Sequence, residues 1–182
     1  LEEEMTDRTR FPLHAITQRP MAMYPSWGSQ NAWLRQILPE NRLYLHRDLA
    51  RDLGVTDEDW VWMRSRNGNL RCQVRTMTGV NRSTVWTWNA IGKRAGAWAL
   101  HRDAPESRRG FILNHVISEF LPRQGEQSPE SNSDPVTGQA AWFDLTVAVE
   151  PCGPEVPQET APRWGANPLR LVGSPERARR SD

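Results

Sequence analysis

Lysine is almost absent: Lys93 stands alone against 22 arginines, and only two cysteines, Cys72 and Cys152, occur in 182 residues. Two isolated thiols make neither a disulfide framework nor a zinc or iron–sulfur ligand set, both of which need clustered spacings. The histidines, His14, His46, His101 and His115, form no HxxxH or HExxH pattern, so no metal site is expected from this chain's own side chains. No apolar run approaches the roughly 18 residues of a membrane-spanning helix. Net charge is also missing: 23 basic residues against 22 acidic ones leave +1, which gives no electrostatic case for binding nucleic acid. The chain lacks an initiator methionine and any basic or apolar leader. Leu1-Glu-Glu-Glu is expected to begin a piece cut from a longer polypeptide, which leaves the parent's compartment open.

What is present is aromatic and polar. Nine tryptophans argue against wholesale disorder despite a mean hydropathy of −0.70. Six of the 14 prolines fall after Glu150, so residues 151–182 read as an extended or disordered tail, and residues 1–10 as a lead-in. Between them, 11–150 reads as one mainly β domain with short helices, of a length that closes a barrel.

Strands are expected at Phe11–Thr17, Leu43–Leu45, Trp60–Arg66, Asn69–Arg75, Thr84–Trp88 and Trp142–Glu150, with Met23–Ser29 as a loop and Gln30–Ile37 as a helical turn. His46–Leu53 reads as a short helix ended by Gly54. Asn67-Gly68 between two β-rich runs predicts a type I′ hairpin turn, since both central residues of that turn need positive φ. In the second arm Leu70, Cys72 and Val74 alternate with Arg71, Gln73 and Arg75, one face inward and one wet. Gly110–Ile117 fits helix or strand equally.

No nucleophile elbow, phosphate loop or dinucleotide fingerprint appears. Asp57-Glu58-Asp59 reads as a solvated acidic corner. What remains is a set of polar loops beside aromatics: Thr17-Gln18-Arg19, Trp27-Gly-Ser-Gln-Asn-Ala-Trp33, Asn114-His115 and Ser131-Asn-Ser-Asp-Pro-Val-Thr-Gly-Gln139. Amides, hydroxyls and a guanidinium suit a ligand with phosphates and purine-like edges. The same residue types also simply form turns. Trp60, Trp62, Trp86 and Trp88, at strand spacing, suit core or interface packing, whereas Trp27 and Trp33 are the better candidates for a ligand wall.

The order of these segments resembles the C-terminal, molybdopterin-dinucleotide-binding domain of dimethyl-sulfoxide-reductase-family molybdenum oxidoreductases. The resemblance rests on a strand and polar loop ending at Arg19, on Trp-Gly-Ser-Gln-Asn at 27–31, and on the strand and helix Leu43-Tyr-Leu-His-Arg-Asp-Leu-Ala-Arg-Asp-Leu-Gly-Val55. The acidic turn and Gly68 hairpin follow, and Asn132-Ser-Asp-Pro-Val-Thr-Gly-Gln139 closes it.

It implies a six-stranded double-psi β-barrel that grips the guanine dinucleotide arms of a bis-molybdopterin guanine dinucleotide cofactor carrying molybdenum or tungsten. The cofactor contacts carried over are Thr17, Gln18 and Arg19, then Ser29, Gln30 and Asn31, then Asn114, and finally Asp134 and Gln139. It further implies N-terminal domains of the same subunit, which would hold the metal and an iron–sulfur cluster. A membrane anchor and an iron–sulfur electron-transfer subunit are implied as partners, with a cytoplasmic or membrane-associated location. The Trp-Gly-Ser-Gln-Asn and Asp-Pro-Val-Thr-Gly-Gln runs look most like members acting on inorganic sulfur compounds, such as sulfite dehydrogenases and polysulfide or thiosulfate reductases. Two rival readings stand beside this one: a free-standing barrel that docks a protein partner through its Trp-rich strands, and a small independent barrel enzyme.

Overall fold

A computed structural model describes residues 6–28, 31–89, 91, 110–118, 120–121, 130–140 and 145–154. Six strands, β1 (Leu13–Gln18), β2 (Leu43–His46), β3 (Trp60–Ser65), β4 (Gly68–Met77), β5 (Thr84–Trp88) and β6 (Thr146–Pro151), close into a barrel in the order β1-β5-β2-β4-β3-β6. Helices α1 (Pro25–Gly28), α2 (Ala32–Ile37) and α3 (Arg47–Leu53) are short, and Leu113–His115 makes one 3₁₀ turn. The expected closed, six-stranded, mainly β barrel is therefore what forms.

Two pairings are parallel, β1 with β5 and β2 with β4, and the other four are antiparallel. These directions give the barrel two unlike ends. The C-terminal ends of β1, β3 and β5 and the N-terminal ends of β2, β4 and β6 point to one end, here the upper. Three connections cross it: residues 19–42, the 66–67 hairpin turn and 89–145. The lower end holds the β2–β3 connection with α3, the β4–β5 turn, and the points where the chain enters β1 and leaves β6.

Alternation fills the barrel. Leu43, Leu45, Val61, Met63, Val74, Val85 and Val147 are fully buried, and Ala50 of α3 and Val55, just after it, belong to the same cluster. The helix forms because the His46 ring nitrogen accepts from Asp48 N–H at its start. It stops because Gly54 adopts φ 69°, returning its N–H to Ala50 and Arg51.

Several expectations are corrected. β1 starts at Leu13 rather than Phe11, because Phe11 N–H closes a turn onto Asp7 C=O (2.9 Å) and Pro12 has no N–H for a ladder. The Met23–Ser29 loop contains α1. Gly110–Ile117 settles as extended chain followed by the 3₁₀ turn.

The hairpin turn sits one residue earlier than expected. Ser65 pairs with Gly68, so Arg66 and Asn67 are central, and neither has a positive φ. Ser65 Oγ accepts from Asn67 N–H at 2.9 Å and stabilises a different turn. Gly68 is glycine for another reason: a Cβ there would lie 2.8 Å from the His115 carbonyl oxygen.

Arg71 is the largest departure. Expected wet, it is 3% exposed. Its guanidinium lies over Trp60 and Trp62, with centroids at 5.1 and 5.7 Å. It also donates to the carbonyls of Gly153 (2.9 Å) and Pro154 (2.7 Å). Those carbonyls replace water around a buried cation. Pro151 ends β6, and Cys152 N–H reaches Trp60 C=O at 3.0 Å.

The acidic corner at 57–59 is exposed, but it is not idle. Asp57 accepts from Thr76 N–H at 2.5 Å, which with Arg75 holds its carboxyl below the usual carboxylate range. Glu58 pairs with Arg42 (2.9 Å) and Arg75 (3.3 Å), and Asp59 binds back to Thr56 N–H. These contacts tie the β2–β3 connection to β4.

Candidate functional site

All the candidate residues that the structure describes lie at the end of β1 or on the two long connections that cross the upper end. Thr17 and Gln18 finish β1 and Arg19 follows, with Gln18 and Arg19 exposed. Asn89 N–H donates to Gln18 C=O at 2.8 Å, which extends the β1–β5 ladder to the point where the chain leaves it. Asn31 stands at the start of α2, Asn114 is exposed in the 3₁₀ turn, and Asp134 and Gln139 lie in the segment that feeds β6. Ser29 and Gln30 fall outside the described residues. The topology thus assigns side chains more than a hundred positions apart in sequence to connections over the same end of the barrel.

Their chemistry differs in how much remains for a ligand. Asn31 Oδ1 accepts from Trp33 N–H (2.9 Å) and Leu34 N–H (3.3 Å), so the carbonyl side of its amide caps α2. Asp134 Oδ1 accepts from Val136 N–H (3.0 Å), Thr137 N–H (2.7 Å) and the Thr137 hydroxyl (3.0 Å). The Thr137 contacts, with the Val136 amide, hold its carboxyl below its usual range. Gly138 N–H donates to Asp134 C=O (2.8 Å), Asp134 N–H donates to Gln139 C=O (2.7 Å), and Gly138 has φ 72°. A bridge from Ser133 to Ala140 closes this polar finger at its base. It presents the Gln139 amide and the second Asp134 oxygen to solvent; Arg19, on the other long connection, is exposed as well.

The upper end is clasped from beneath. Asn41, 2% exposed, accepts at Oδ1 from the Thr87 hydroxyl (2.7 Å) and Trp88 N–H (3.2 Å). Its amide nitrogen donates toward the carbonyls of Trp88 (3.2 Å), Ile91 (3.0 Å) and Phe111 (2.8 Å). On the other side the Ser65 hydroxyl donates to Val116 C=O at 2.6 Å. Sequence reasoning missed Asn41: one polar residue before a strand carries no pattern, and its partners are 46 to 70 positions away.

The tryptophans divide as follows. Trp27 and Trp33 are each 77% exposed at the upper end. The strand tryptophans are committed inside the chain. Trp86 stacks on Tyr44 at 4.0 Å and donates its Nε1–H to Met77 Sδ at 3.2 Å, Trp88 Nε1–H points to the Tyr44 hydroxyl at 3.3 Å, and Trp60 lies against Arg71. A partner-docking stripe built from them is not favoured. Among the described residues no group of three or more metal-ligating side chains occurs.

A barrel whose one end gathers a guanidinium, several amides and a hydrogen-bonded carboxylate has the donor set that phosphate oxygens, ribose hydroxyls and a purine edge require. Residues 13–132 match the family described as "Molydopterin dinucleotide binding domain", and the chain belongs to that family of molybdopterin dinucleotide-binding domains. Asp134 and Gln139 lie just beyond the matched residues.

Over 173 residues the chain is 54% identical to a sulfite dehydrogenase subunit of Allochromatium vinosum, covering 95% of this chain and 18% of that protein. Among solved structures, acetylene hydratase from Pelobacter acetylenicus shares the fold with a TM-score of 0.60 at 17% identity, over 80% of this chain and 19% of that one. The chain thus spans less than a fifth of either relative.

Proposed function

We propose that the upper end of the barrel holds the dinucleotide of a molybdenum cofactor, guanine-based, inside a larger oxidoreductase that acts on an inorganic sulfur compound. The observation that carries this reading is convergence: the end of β1 and two connections remote in sequence, 19–42 and 89–145, carry Gln18, Arg19, Asn31, Asn114, Asp134 and Gln139, and both connections cross the same end of the barrel. In this reading Arg19 answers phosphate charge, the amides of Gln18, Asn114 and Gln139 donate to phosphate and ribose oxygens, and Asp134 accepts from a purine edge. Ser29 and Gln30 belong to the same contact set. When bound, the metal centre supplies oxygen-atom or electron-pair transfer, while this chain binds and orients the dinucleotide. Sulfite is the favoured substrate class because of the likeness to the sulfite dehydrogenase of Allochromatium vinosum.

The two long connections over the upper end, 19–42 and 89–145, also carry every exposed large hydrophobic among the described residues, including Met21, Tyr24, Trp27 and Trp33, and the lower connections carry none. Apolar surface concentrated beside a polar cluster is expected where further protein covers the face. We assign that cover to the other domains of the same subunit, which would also hold the metal and any iron–sulfur cluster. Electron-transfer and membrane-anchor subunits would contact those domains.

The test is Arg19→Ala and Gln139→Ala in the full-length subunit, with pterin and molybdenum measured per polypeptide and Arg82→Ala, at the lower end, as control. Both upper-end variants are expected to lose cofactor while the control retains it; full retention in both rejects the site. Turnover of sulfite, thiosulfate and polysulfide by the complete enzyme tests the substrate class, and inactivity on all three rejects it.

A further inference from the structure

Asn41 touches none of the proposed contact residues, yet its side chain is bonded to the segments that carry two of the contact groups. Trp88, bonded through both its N–H and its C=O, is the ladder partner of Gln18. Phe111, bonded through its C=O, leads directly into the Leu113–His115 turn that holds Asn114. Ile91 and Phe111 lie on either side of residues 92–109, so one amide gathers both ends of that stretch onto β5.

An amide nitrogen has two hydrogens, and here three carbonyls surround it, while its oxygen uses both lone pairs on Thr87 and Trp88. The group is saturated, so it does not bind ligand itself. Its position is overdetermined, which is what a residue needs in order to fix others.

We infer that Asn41 is a positioning residue for the dinucleotide. It sets the spacing between the end of β1, with Arg19 after it, and the Asn114 turn, so that the two groups reach one ligand together. The inference rests on the cofactor reading of the upper end. The other clasp acts on the same turn from the opposite side, with Ser65 on the Val116 carbonyl and Gly68 beneath the His115 carbonyl. With Asn41 removed, the turn keeps that one anchor and gains freedom in the direction of β1. Binding groups held by preorganised supports lose affinity when the support goes, even where every contact residue remains.

The experiment uses the full-length, cofactor-loaded subunit. Asn41→Ala is compared with Val55→Ala, a core truncation at the lower end, at temperatures chosen to give equal loss of thermal stability. Two quantities are measured: the rate at which pterin is released, and hydrogen exchange of the amides from Leu113 to Val116. Release about tenfold faster than in Val55→Ala, with faster exchange confined to the Asn114 turn, is the expected result. Equal release at matched stability overturns the inference and leaves Asn41 a structural residue.

Should Asn41→Ala fail to fold, Asn41→Asp and Thr87→Val decide on the same readouts. Asn41→Asp keeps the acceptor and loses the donors, and Thr87→Val removes one hydroxyl from the cluster. Arg19→Ala in parallel separates the two claims. Fast release there with none in the Asn41 variants defeats the positioning role alone. Normal retention in both defeats the cofactor site, and the inference with it.

Discussion

The two ends of this barrel are built on opposite principles. The lower end is closed by short connections whose polar groups satisfy one another. His46 caps α3, Gly54 stops it, and Asp57, Glu58 and Asp59 bond to Thr76, Arg75 and Thr56, with Glu58 also reaching Arg42 at the end of the 19–42 connection. The upper end is crossed by two long connections, besides the 66–67 turn, that leave amides, a guanidinium and two tryptophans facing solvent. Polar residues are common at both ends, so composition does not distinguish them. What distinguishes them is whether the side chain's bonding capacity is consumed within the chain. At the lower end it largely is; at the upper end Arg19, Gln18 and Gln139 stay available, and buried groups such as Asn41 hold the backbone that presents them.

If the ends divide the work in this way, damage to the barrel and damage to the site come apart. The largest effect is expected from Leu45→Ala, which empties a fully buried position on the lower half of β2. It should cost about 3 kcal/mol. Cofactor affinity of the surviving folded protein should stay unchanged, as seen by urea unfolding and by pterin titration. A weaker grip in the folded fraction would break the division.

Next comes Gly68→Ala, at about 2 kcal/mol, since the new Cβ meets a backbone carbonyl that cannot swing away. The comparison is sharpened by Gly68→Asn. Were the glycine present for a left-handed turn, Asn would be tolerated better than Ala; the close approach of His115 predicts that Asn is worse. Thermal unfolding of the two variants distinguishes the explanations. This pair should also loosen the cofactor, because the displaced carbonyl belongs to the Asn114 turn.

Much of the barrel was legible because its rules are local. β5, the paired β3 and β4 runs and α3 with its Gly54 stop follow from period-2 alternation and cap chemistry within a few residues. Arg71 shows where that reading fails. Alternation assigns it to the wet face, but its burial depends on Trp60, Trp62 and the carbonyls of 153 and 154, which no local pattern connects to it. The hairpin fails similarly: Asn-Gly predicts a turn, while the reason for the glycine lies in a segment nearly fifty residues away.

The candidate site was legible as residue types and illegible as allocation. Asn31 and Asp134 were expected to serve a ligand. Each uses one oxygen close by in sequence, Asn31 on the first turn of α2 and Asp134 on its own finger, so the turn-forming reading is met while the Asn31 amide nitrogen and the second Asp134 oxygen are left for the proposed ligand.

The smallest effect concerns two aspartates that titrate alike for different reasons. Asp57 and Asp134 both have carboxyls held below the usual value of 3.8, in each case chiefly by a backbone amide: Thr76 for Asp57 and Thr137 for Asp134. A carboxyl depressed in the folded state contributes stability above its unfolded pKa and loses it as pH falls through the folded one. Both contributions are therefore whole at neutral pH and fade below about pH 4, that of Asp57 acting on the barrel and that of Asp134 only on the local order of its own finger.

The amide on Asp57 belongs to β4, so Asp57→Asn should lower barrel stability by about 0.5 kcal/mol at pH 7, a figure kept small by solvent exposure. It should also flatten part of the acid limb of the stability curve. The amides on Asp134 belong to its own finger. Asp134→Asn should leave the unfolding midpoint of the barrel in place and change only how firmly the dinucleotide is held. Stability measured from pH 7 to pH 3 for both variants tests this directly. A shift of the barrel midpoint in Asp134→Asn as large as that in Asp57→Asn would mean that the finger is part of the barrel's scaffold, and that the two ends are less independent than their hydrogen bonds imply.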